Sequence, residues 1–391
     1  MLKNGKTLFG DNWQFTLKEI GTSLDEINSE KDWHDVEIPH DWLIGDTRNL
    51  YKTGEGWYKK SFTLDKGDLD GKLFICFDGV YMNSAVYLNG KEIGVWKYGY
   101  SSFYFDMTSA VEGENTLLVR VQHEAPNTRW YSGAGIYRNV YIKKTPLVHV
   151  AENGIYIVTD GKSRTHVETE IINESENTEK IELVHEIIDN NGRTVVFSHN
   201  NLTLKAGETL TDNQDTLVYH PAIWDTQNPN LYTLKTTISI GEEIIQTETN
   251  RYGYRKTEFS PSEGFKLNGR QLKLHGVCMH HDLGALGAAV NYEALKRQMT
   301  ILRLMGVNAI RTSHNMPAPE LCEICDEMGI LMDNEAFDMW EMPKNKNDYA
   351  RFFPEWYKTD VASWVRRDRN HPCVIMWSIG NEIADTHASP R

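Results

Sequence analysis

Residues 257–391 alternate between short apolar runs, which suit strands, and longer segments with helical periodicity. One of the longer segments starts at Asn291, which can cap a helix. Leu295 and Met299 follow on one face, and Gly306 stops the pattern. The complete order is β-α-β-α-β-α-β, with about four strands. This order predicts parallel strands covered by helices.

Each predicted strand in this region ends in polar residues. Carboxyl ends of parallel strands meet at one edge, and in a (β/α)₈ barrel that edge carries the active site. Glu382 at such an edge can act as a general acid/base, and Asn381 can bind a substrate hydroxyl. Arg311 can orient a carboxylate through two hydrogen bonds. A surface turn at Asn381-Glu382 is the simpler alternative, but four polar strand ends on one face favour catalysis. The four ends are His280-His281-Asp282, Arg311-Thr312-Ser313-His314, Asp333-Asn334-Glu335 and Asn381-Glu382.

The preceding two thirds of the chain show the alternation of β-strands. In residues 1–145 short strand-like runs are separated by turn residues, with Asn89-Gly90 as a strong hairpin signal, which predicts a jelly roll. Residues 146–256 contain about seven alternating runs, which suit an immunoglobulin-like sandwich. We assign no chemistry to this second domain.

Two groups of potential metal ligands have simpler explanations. Cys322 and Cys325 form a C-x-x-C motif, but its apolar spacing indicates one buried helical face. His275 and the cluster at His280 lack a known zinc spacing. We therefore predict core packing for the cysteines and no metal site for either group.

Composition limits the classes of binding partner and the cellular compartment. The formal net charge is −14, and no basic patch stands out that could bind nucleic acid or an anionic membrane. No apolar run reaches the roughly 18 residues needed to span a bilayer. The first residues lack the apolar stretch of a signal peptide. These features predict a cytoplasmic protein, with a removed leader left open.

Two long motifs resemble a known family. The segments NAIRTSHNMP (308–317) and DRNHPCVIMWSIGNE (368–382) resemble the two signatures of glycoside hydrolase family 2. Upstream, GWYKKSFTL and WYSGAGIYRNV resemble the sugar-binding jelly roll of the family, and PAIWDTQNPNLYTL resembles the end of its sandwich domain. The resemblance covers the chain in the order jelly roll, immunoglobulin-like domain and TIM barrel.

The resemblance implies retaining hydrolysis of a β-glycoside. At the matching positions Glu382 is the general acid/base, and Asn381 binds the 2-hydroxyl of the sugar. Arg311 supports the nucleophile, while His314 and His280 line the sugar pocket.

The jelly roll is expected to contribute to the same pocket through the segment TRWYSG. Some relatives carry an Asp just before the Trp of this segment, where this chain has Arg129, which we expect to take over the hydroxyl contact. Trp340 lies near a strand end and is either a sugar platform or a core residue. We include it among the substrate-binding candidates.

Among the activities of the family, GVCMHHDLGALGAAVN and NEAFDMWE look most like bacterial β-galactosidases. The substrate expected is a small β-glycoside or oligosaccharide with a terminal β-D-galactoside. A β-glucuronidase and a non-catalytic carbohydrate-binding protein remain alternatives. No cofactor is expected, although some relatives bind Mg²⁺ near the acid/base, where Glu335 and Asp338 offer carboxylates. Assembly into homo-oligomers is left open.

The nucleophile of the family is a Glu on the seventh barrel strand, and a retaining glycosidase needs its two carboxyl groups about 5 Å apart. Only four barrel strands are predicted in residues 257–391. We therefore expect this chain to be the N-terminal fragment of a longer enzyme, with the first half of a TIM barrel. We also expect it to be inactive alone.

Overall fold

A computed structural model describes residues 2–384, and its N-terminal part is a two-sheet β-structure. One sheet has the strand order β1-β10-β5-β8, and the other has the order β3-β2-β4-β9-β6-β7. The elements are β1 (Gly5–Leu8), β2 (Trp13–Lys18), α1 (Leu24–Ser29), β3 (His34–Val36), β4 (Gly54–Thr63), β5 (Lys72–Phe77), β6 (Ser84–Leu88), β7 (Lys91–Trp96), β8 (Phe103–Asp106), β9 (Glu114–His123) and β10 (Val140–Thr145).

The core of this part lies between the two sheets. Trp13 and Val119 come from one sheet, Phe77 and Ile142 from the other, and all four are buried. The β6–β7 hairpin turns at Asn89-Gly90, as predicted, and both residues have positive φ (51° and 82°). A two-residue turn of this kind matches the twist of the paired strands.

The second part forms two further antiparallel sheets, with the orders β11-β12-β15 and β14-β13-β16-β17. In β12, Thr165, Val167, Thr169 and Ile171 are buried, while the residues between them are not, as the alternation predicted. The strands are β11 (Val148–Thr159), β12 (Arg164–Asn173), β13 (Glu179–Ile188), β14 (Thr194–Leu204), β15 (Thr209–Leu217), β16 (Tyr232–Ile240) and β17 (Glu243–Tyr252).

The third part contains a small antiparallel sheet, β18-β19-β20, and a parallel sheet, β21-β22-β23-β24. A helix separates each pair of parallel strands, and no helix among residues 2–384 is long and apolar enough to cross a membrane. The elements are β18 (Thr257–Ser260), β19 (Gly264–Leu267), β20 (Arg270–Gln271), β21 (Gly276–Met279), α2 (Tyr292–Leu304), β22 (Ala309–Thr312), α3 (Pro319–Met328), β23 (Leu331–Glu335), α4 (Phe353–Asp368) and β24 (Val374–Ser378).

Local sequence signals set the limits of these helices. Asn291 caps α2 by accepting a hydrogen bond from the backbone N–H of Ala294. Pro319 begins α3, and Gly329 ends it in the left-handed conformation (φ 67°). Strand β24 differs from its prediction, since it ends at Ser378. Glu382 has φ 46°, a left-handed conformation that a strand does not accommodate.

One buried arginine joins the first part to the parallel sheet. The Arg138 guanidinium is fully buried and donates to the carbonyl of Tyr100 (2.8 Å). It also donates to the carbonyls of Met316 (2.8 Å) and Pro317 (3.0 Å), in the loop after β22. These bonds fix the jelly roll against the edge where the strands end.

Candidate active site

Glu335, the last residue of β23, is at the centre of the polar edge. Its buried carboxylate accepts hydrogen bonds from Arg311 Nε (2.8 Å) and Nη2 (2.5 Å), both to Oε2. Ser378 Oγ donates to the same oxygen at 2.7 Å, and His314 Nδ1 lies 2.6 Å from Oε1. The ends of three parallel strands are therefore joined through one carboxylate.

Two opposing effects act on the pKa of Glu335. Burial alone would raise the pKa of this carboxyl, but hydrogen bonds from His314, Ser378 and Arg311 lower it below the ordinary 4.5. Glu335 is therefore ionised at neutral pH. Its negative charge holds the Arg311 guanidinium in place.

Asn381 lies between two charged groups. Its Oδ1 accepts a hydrogen bond from Arg311 Nη2 at 3.0 Å, and its Nδ2 donates to Asp338 Oδ1 at 2.9 Å. The side chain is thereby oriented, and each amide atom keeps one further hydrogen-bonding position. This is the property needed of a group that binds a sugar hydroxyl.

Asp338 is a second buried carboxylate in the site. It accepts from Arg129 Nη2 (2.6 Å) and Nε (3.1 Å), and from Lys344 Nζ at 3.0 Å. Burial alone would raise the pKa of Asp338, but the bonds from Arg129, Asn381 and Lys344 keep it below 3.8. Arg129, far away in the sequence, is thereby held at the strand ends.

Glu382 follows in a turn and points outward. Its carboxylate lies 3.3 Å from Arg129 Nη1 and 4.0 Å from Lys344 Nζ, and its side chain is 70% exposed. Residues 2–384 therefore leave this carboxyl largely in contact with solvent. The two cations beside it are the main feature of its surroundings.

Trp130, His280 and His314 form an aromatic wall beside these carboxylates. The Trp130 and His280 rings are stacked, with centroids 4.9 Å apart and an interplanar angle of 16°. His314 meets both rings edge-on, at 5.7 Å from Trp130 and 5.9 Å from His280. A flat apolar surface next to oriented polar groups is suited to a sugar ring.

Asp41 anchors the loop that carries Arg129 and Trp130. Its buried carboxylate accepts hydrogen bonds from Ala134 N (3.0 Å) and Tyr131 Oη (2.6 Å) in that loop. It also accepts from Ala288 N (2.9 Å) in the loop after β21. Gly287 (φ 62°) permits this approach, since a Cβ there would lie 2.4 Å from the carboxylate. One side chain thus ties the jelly-roll loop to the parallel sheet.

The predicted site residues do not all meet in one cluster. His280, Arg311, His314, Arg129, Asn381 and Glu382 lie together at the strand ends, as described above. Trp340 instead donates to the Ile379 carbonyl (2.9 Å) and stacks on Phe353 (6.1 Å, 18°), so it supports the turn before Asn381. Its role as a sugar platform stays a prediction.

Three residues of the site were not among our substrate-binding candidates. Trp130 was visible only as part of the TRWYSG segment. Asp338 was considered as a metal ligand, whereas here it orients Asn381 and Arg129. Lys344 lies in a long loop without any pattern, and no sequence signal marks it.

The carboxylates considered for Mg²⁺ do not fit that ion. Glu335 is surrounded by Arg311, His314 and Ser378, and Asp338 by Arg129 and Lys344. Mg²⁺ prefers oxygen donors and would be repelled by the charges of Arg311, Arg129 and Lys344.

A second group of possible ligands lies beneath the sheet. Atoms of Cys322, Asp368 and His371 lie within 4.8 Å of one another. Asp368, however, is paired with Arg367 (2.6 Å), and His371 with Asp326 (2.6 Å). Burial raises the pKa of the Cys322 thiol well above 9, which disfavours the thiolate. These contacts fit a hydrogen-bonded core better than a metal centre.

Family models match three consecutive segments. Residues 11–146 match the model described as the sugar binding domain of glycosyl hydrolases family 2, 148–255 match the model described as glycosyl hydrolases family 2, and 261–389 match its TIM barrel domain. The chain belongs to glycoside hydrolase family 2. The expected order of domains is therefore confirmed.

Relatives within glycoside hydrolase family 2 include enzymes for two sugars. A β-galactosidase of Bacteroides ovatus is 43% identical over 96% of this chain, which covers 46% of that protein. A β-glucuronidase of Bacteroides fragilis is 28% identical over 98% of this chain and 57% of its own length.

The structure is also similar to a solved one. The crystal structure of a family 2 member from Bacteroides cellulosilyticus has a TM-score of 0.92 and 35% identity, over 98% of this chain and 52% of that chain. This family 2 chain thus spans about half the length of the relatives it matches.

Proposed function

We propose that this chain carries the acid/base half of the active site of a retaining exo-β-glycosidase that acts on terminal β-D-galactosides. The observation that supports this most is the placement of Asn381. It is oriented by Arg311 and Asp338, and it directly precedes Glu382 at the carboxyl edge of a parallel sheet. The 43% identity to a β-galactosidase supports the choice of sugar.

In this proposal Glu382 protonates the glycosidic oxygen as the aglycone departs, and then accepts a proton from the attacking water. Asn381 binds the 2-hydroxyl of the sugar, a bond that strengthens in the transition state. The sugar ring lies against Trp130 and His280. His314 and Arg311, both paired with Glu335, form the floor of the pocket.

A retaining mechanism needs a second carboxylate, the nucleophile, about 5 Å from the acid/base. Within residues 2–384, the two buried carboxylates of the site, Glu335 and Asp338, are already bound by cationic donors. We therefore propose that the four parallel strands are half of the barrel and that the 391 residues alone do not turn over a glycoside.

A β-glucuronidase is the second candidate. Arg129 and Lys344 lie 3.3 Å and 4.0 Å from Glu382, and both could pair with the carboxylate of a uronic acid. Asp338 balances one of these charges, which favours a neutral sugar. A carbohydrate-binding role without catalysis is the third candidate, and it would use the same aromatic wall.

The test combines binding with turnover. Isothermal titration of the chain with galactose and with glucuronic acid should show tighter binding of galactose. Asn381→Ala should weaken that binding, and 4-nitrophenyl β-galactoside should remain uncleaved. Preference for glucuronic acid would replace the galactoside proposal with the second candidate. Turnover by the chain would contradict the assignment of half an active site.

A further inference from the structure

A crevice of about 600 Å³ lies where the three parts of the chain meet, away from the candidate active site. Its floor belongs to the jelly roll, one wall to the sandwich, and the other to helices α3 and α4. Ligand pockets typically enclose about 300–1,000 Å³. We call it the junction crevice, lined by Cys76, Asp78, Tyr104, Tyr141, Glu152 and Arg366, among others.

The floor is the outer face of the sheet β1-β10-β5-β8. Tyr141 on β10 pairs with Cys76 on β5, which pairs with Tyr104 on β8. Neighbouring strands lie about 4.8 Å apart, so the two tyrosines are roughly 10 Å apart at their backbones. The small Cys76 between them leaves a notch flanked by two aromatic side chains.

The tyrosine side chains are accessible and held in place. Tyr104 is 47% exposed, and Phe74 meets its ring edge-on at 5.8 Å. Lys6 lies 6.0 Å from the centre of the Tyr141 ring. Tyr104 thus presents an exposed aromatic face inside a concave surface, and Tyr141 is partly exposed beside it.

The cations of the junction crevice are already neutralised. Lys6 pairs with Glu152 at 2.8 Å, and Arg366 pairs with Glu170 at 2.9 Å. Arg367 is likewise bound to Asp368 at 2.6 Å. The cationic groups are therefore not free to bind an anionic ligand.

One acidic group of the junction crevice, by contrast, retains its acceptor positions. The side chain of Asp78 has no hydrogen-bond or ion-pair partner in the part of the chain that the structure describes. Burial raises its pKa to about 7, and the nearby charge of Glu320 adds to this rise. A carboxylate without a donor can still accept hydrogen bonds, so a ligand with hydroxyl donors would stabilise Asp78 in the junction crevice.

We propose that the junction crevice is a second carbohydrate-binding site, which holds a neutral segment of a glycan outside the catalytic pocket. Sugar rings stack on Tyr104 and Tyr141, and their hydroxyls donate to Asp78. The Asp78 carboxylate, which has no ion-pair partner among the described residues, disfavours uronic acids. This proposal does not depend on the sugar cleaved, because the crevice and the candidate active site have no residue in common.

The experiment is affinity electrophoresis of the 391-residue chain in gels that contain β-1,4-galactan, hydroxyethyl cellulose or polygalacturonate. At least one neutral glycan should retard the chain, and polygalacturonate should not. Tyr104→Ala and Asp78→Asn should each raise the dissociation constant about tenfold, equivalent to about 1.4 kcal/mol. Melting curves like that of the parent would show that both variants fold.

Two controls make the outcome decisive. Tyr219 is 83% exposed on the sandwich, so Tyr219→Ala removes an exposed tyrosine elsewhere and should leave retardation unchanged. Trp130→Ala disables the active-site wall and should leave retardation by hydroxyethyl cellulose, which has no galactosyl ends, unchanged. The proposal is overturned if neither neutral glycan retards the chain, if Tyr104→Ala behaves like Tyr219→Ala, or if Trp130→Ala abolishes retardation by hydroxyethyl cellulose. Equal retardation by polygalacturonate would also overturn it.

Discussion

Glu335→Gln should substantially destabilise the third part of the chain. The carboxylate is fully buried and receives two bonds from Arg311 and one from His314, and such charge-assisted bonds are worth about 1.5–3 kcal/mol each. Removal of one partner from a buried ion pair typically costs about 3–5 kcal/mol. Arg311 is 31% exposed and regains some hydration, so the lower limit, about 3 kcal/mol, is expected.

The assay is urea unfolding at pH 7, followed by tryptophan fluorescence, with the transition of the parallel sheet fitted separately. Asp333→Asn is the matched control, because Asp333 lies 4.0 Å from Arg311 Nε without a hydrogen bond. It should cost less than about 1 kcal/mol. The reasoning is refuted if Glu335→Gln costs no more than Asp333→Asn.

The pH dependence provides a second check on the same pair. The pKa of Glu335 is lowered in the folded state, so the unfolded chain takes up a proton first as pH falls. The stability that the ionised carboxylate contributes is present above pH 4.5 and is lost below it. The difference between parent and Glu335→Gln should therefore shrink as the pH falls below 4.5.

Three further predictions follow from the other buried carboxylates. Asp338→Asn removes a charge beside Arg129 and Lys344, so calorimetric affinities should shift about tenfold towards glucuronic acid over galactose. Asp41→Ala removes the hydrogen bonds that hold the Trp130 loop, so chymotrypsin should cleave this loop about tenfold faster. Asp46 is exposed, so Asp46→Ala should leave the cleavage rate unchanged. Burial raises the pKa of Asp360 to about 7, so the folded state holds a proton that the unfolded chain releases near pH 4. The contribution of this group to stability is therefore lost as the pH rises from about 4 to 7. Asp360→Asn should therefore raise the melting temperature relative to the parent more at pH 8 than at pH 5; an equal difference at both values would contradict this.

The local features of the fold were predictable because they depend on neighbouring residues. Asn291 and Gly329 delimit helices, Asn89-Gly90 forms a hairpin, and the polar strand ends meet at one edge of the sheet. The early end of β24 was not predictable, because the apolar run continues past Ser378. It depends instead on the backbone of the following turn, where Glu382 is left-handed.

The contacts between distant segments could not be predicted from the sequence either. Arg129 and Asp338 are 209 positions apart, and their ion pair forms only because Asp41 and Arg138 fix the jelly roll on the parallel sheet. Periodicity describes which face of an element is buried but not which element covers it. The outward position of Glu382 and the part played by Lys344 follow from that docking.

The role of Glu382 as proton donor is central to the proposed mechanism. The direct measurement is the rate at which Glu382→Gln hydrolyses aryl β-galactosides. The variant is made in a longer form of this protein that matches its relatives over their full length. Departure of poor leaving groups should slow by orders of magnitude, while departure of good leaving groups should slow little, since they need no proton. An equal effect on both, or unchanged rates with poor leaving groups, would contradict the account.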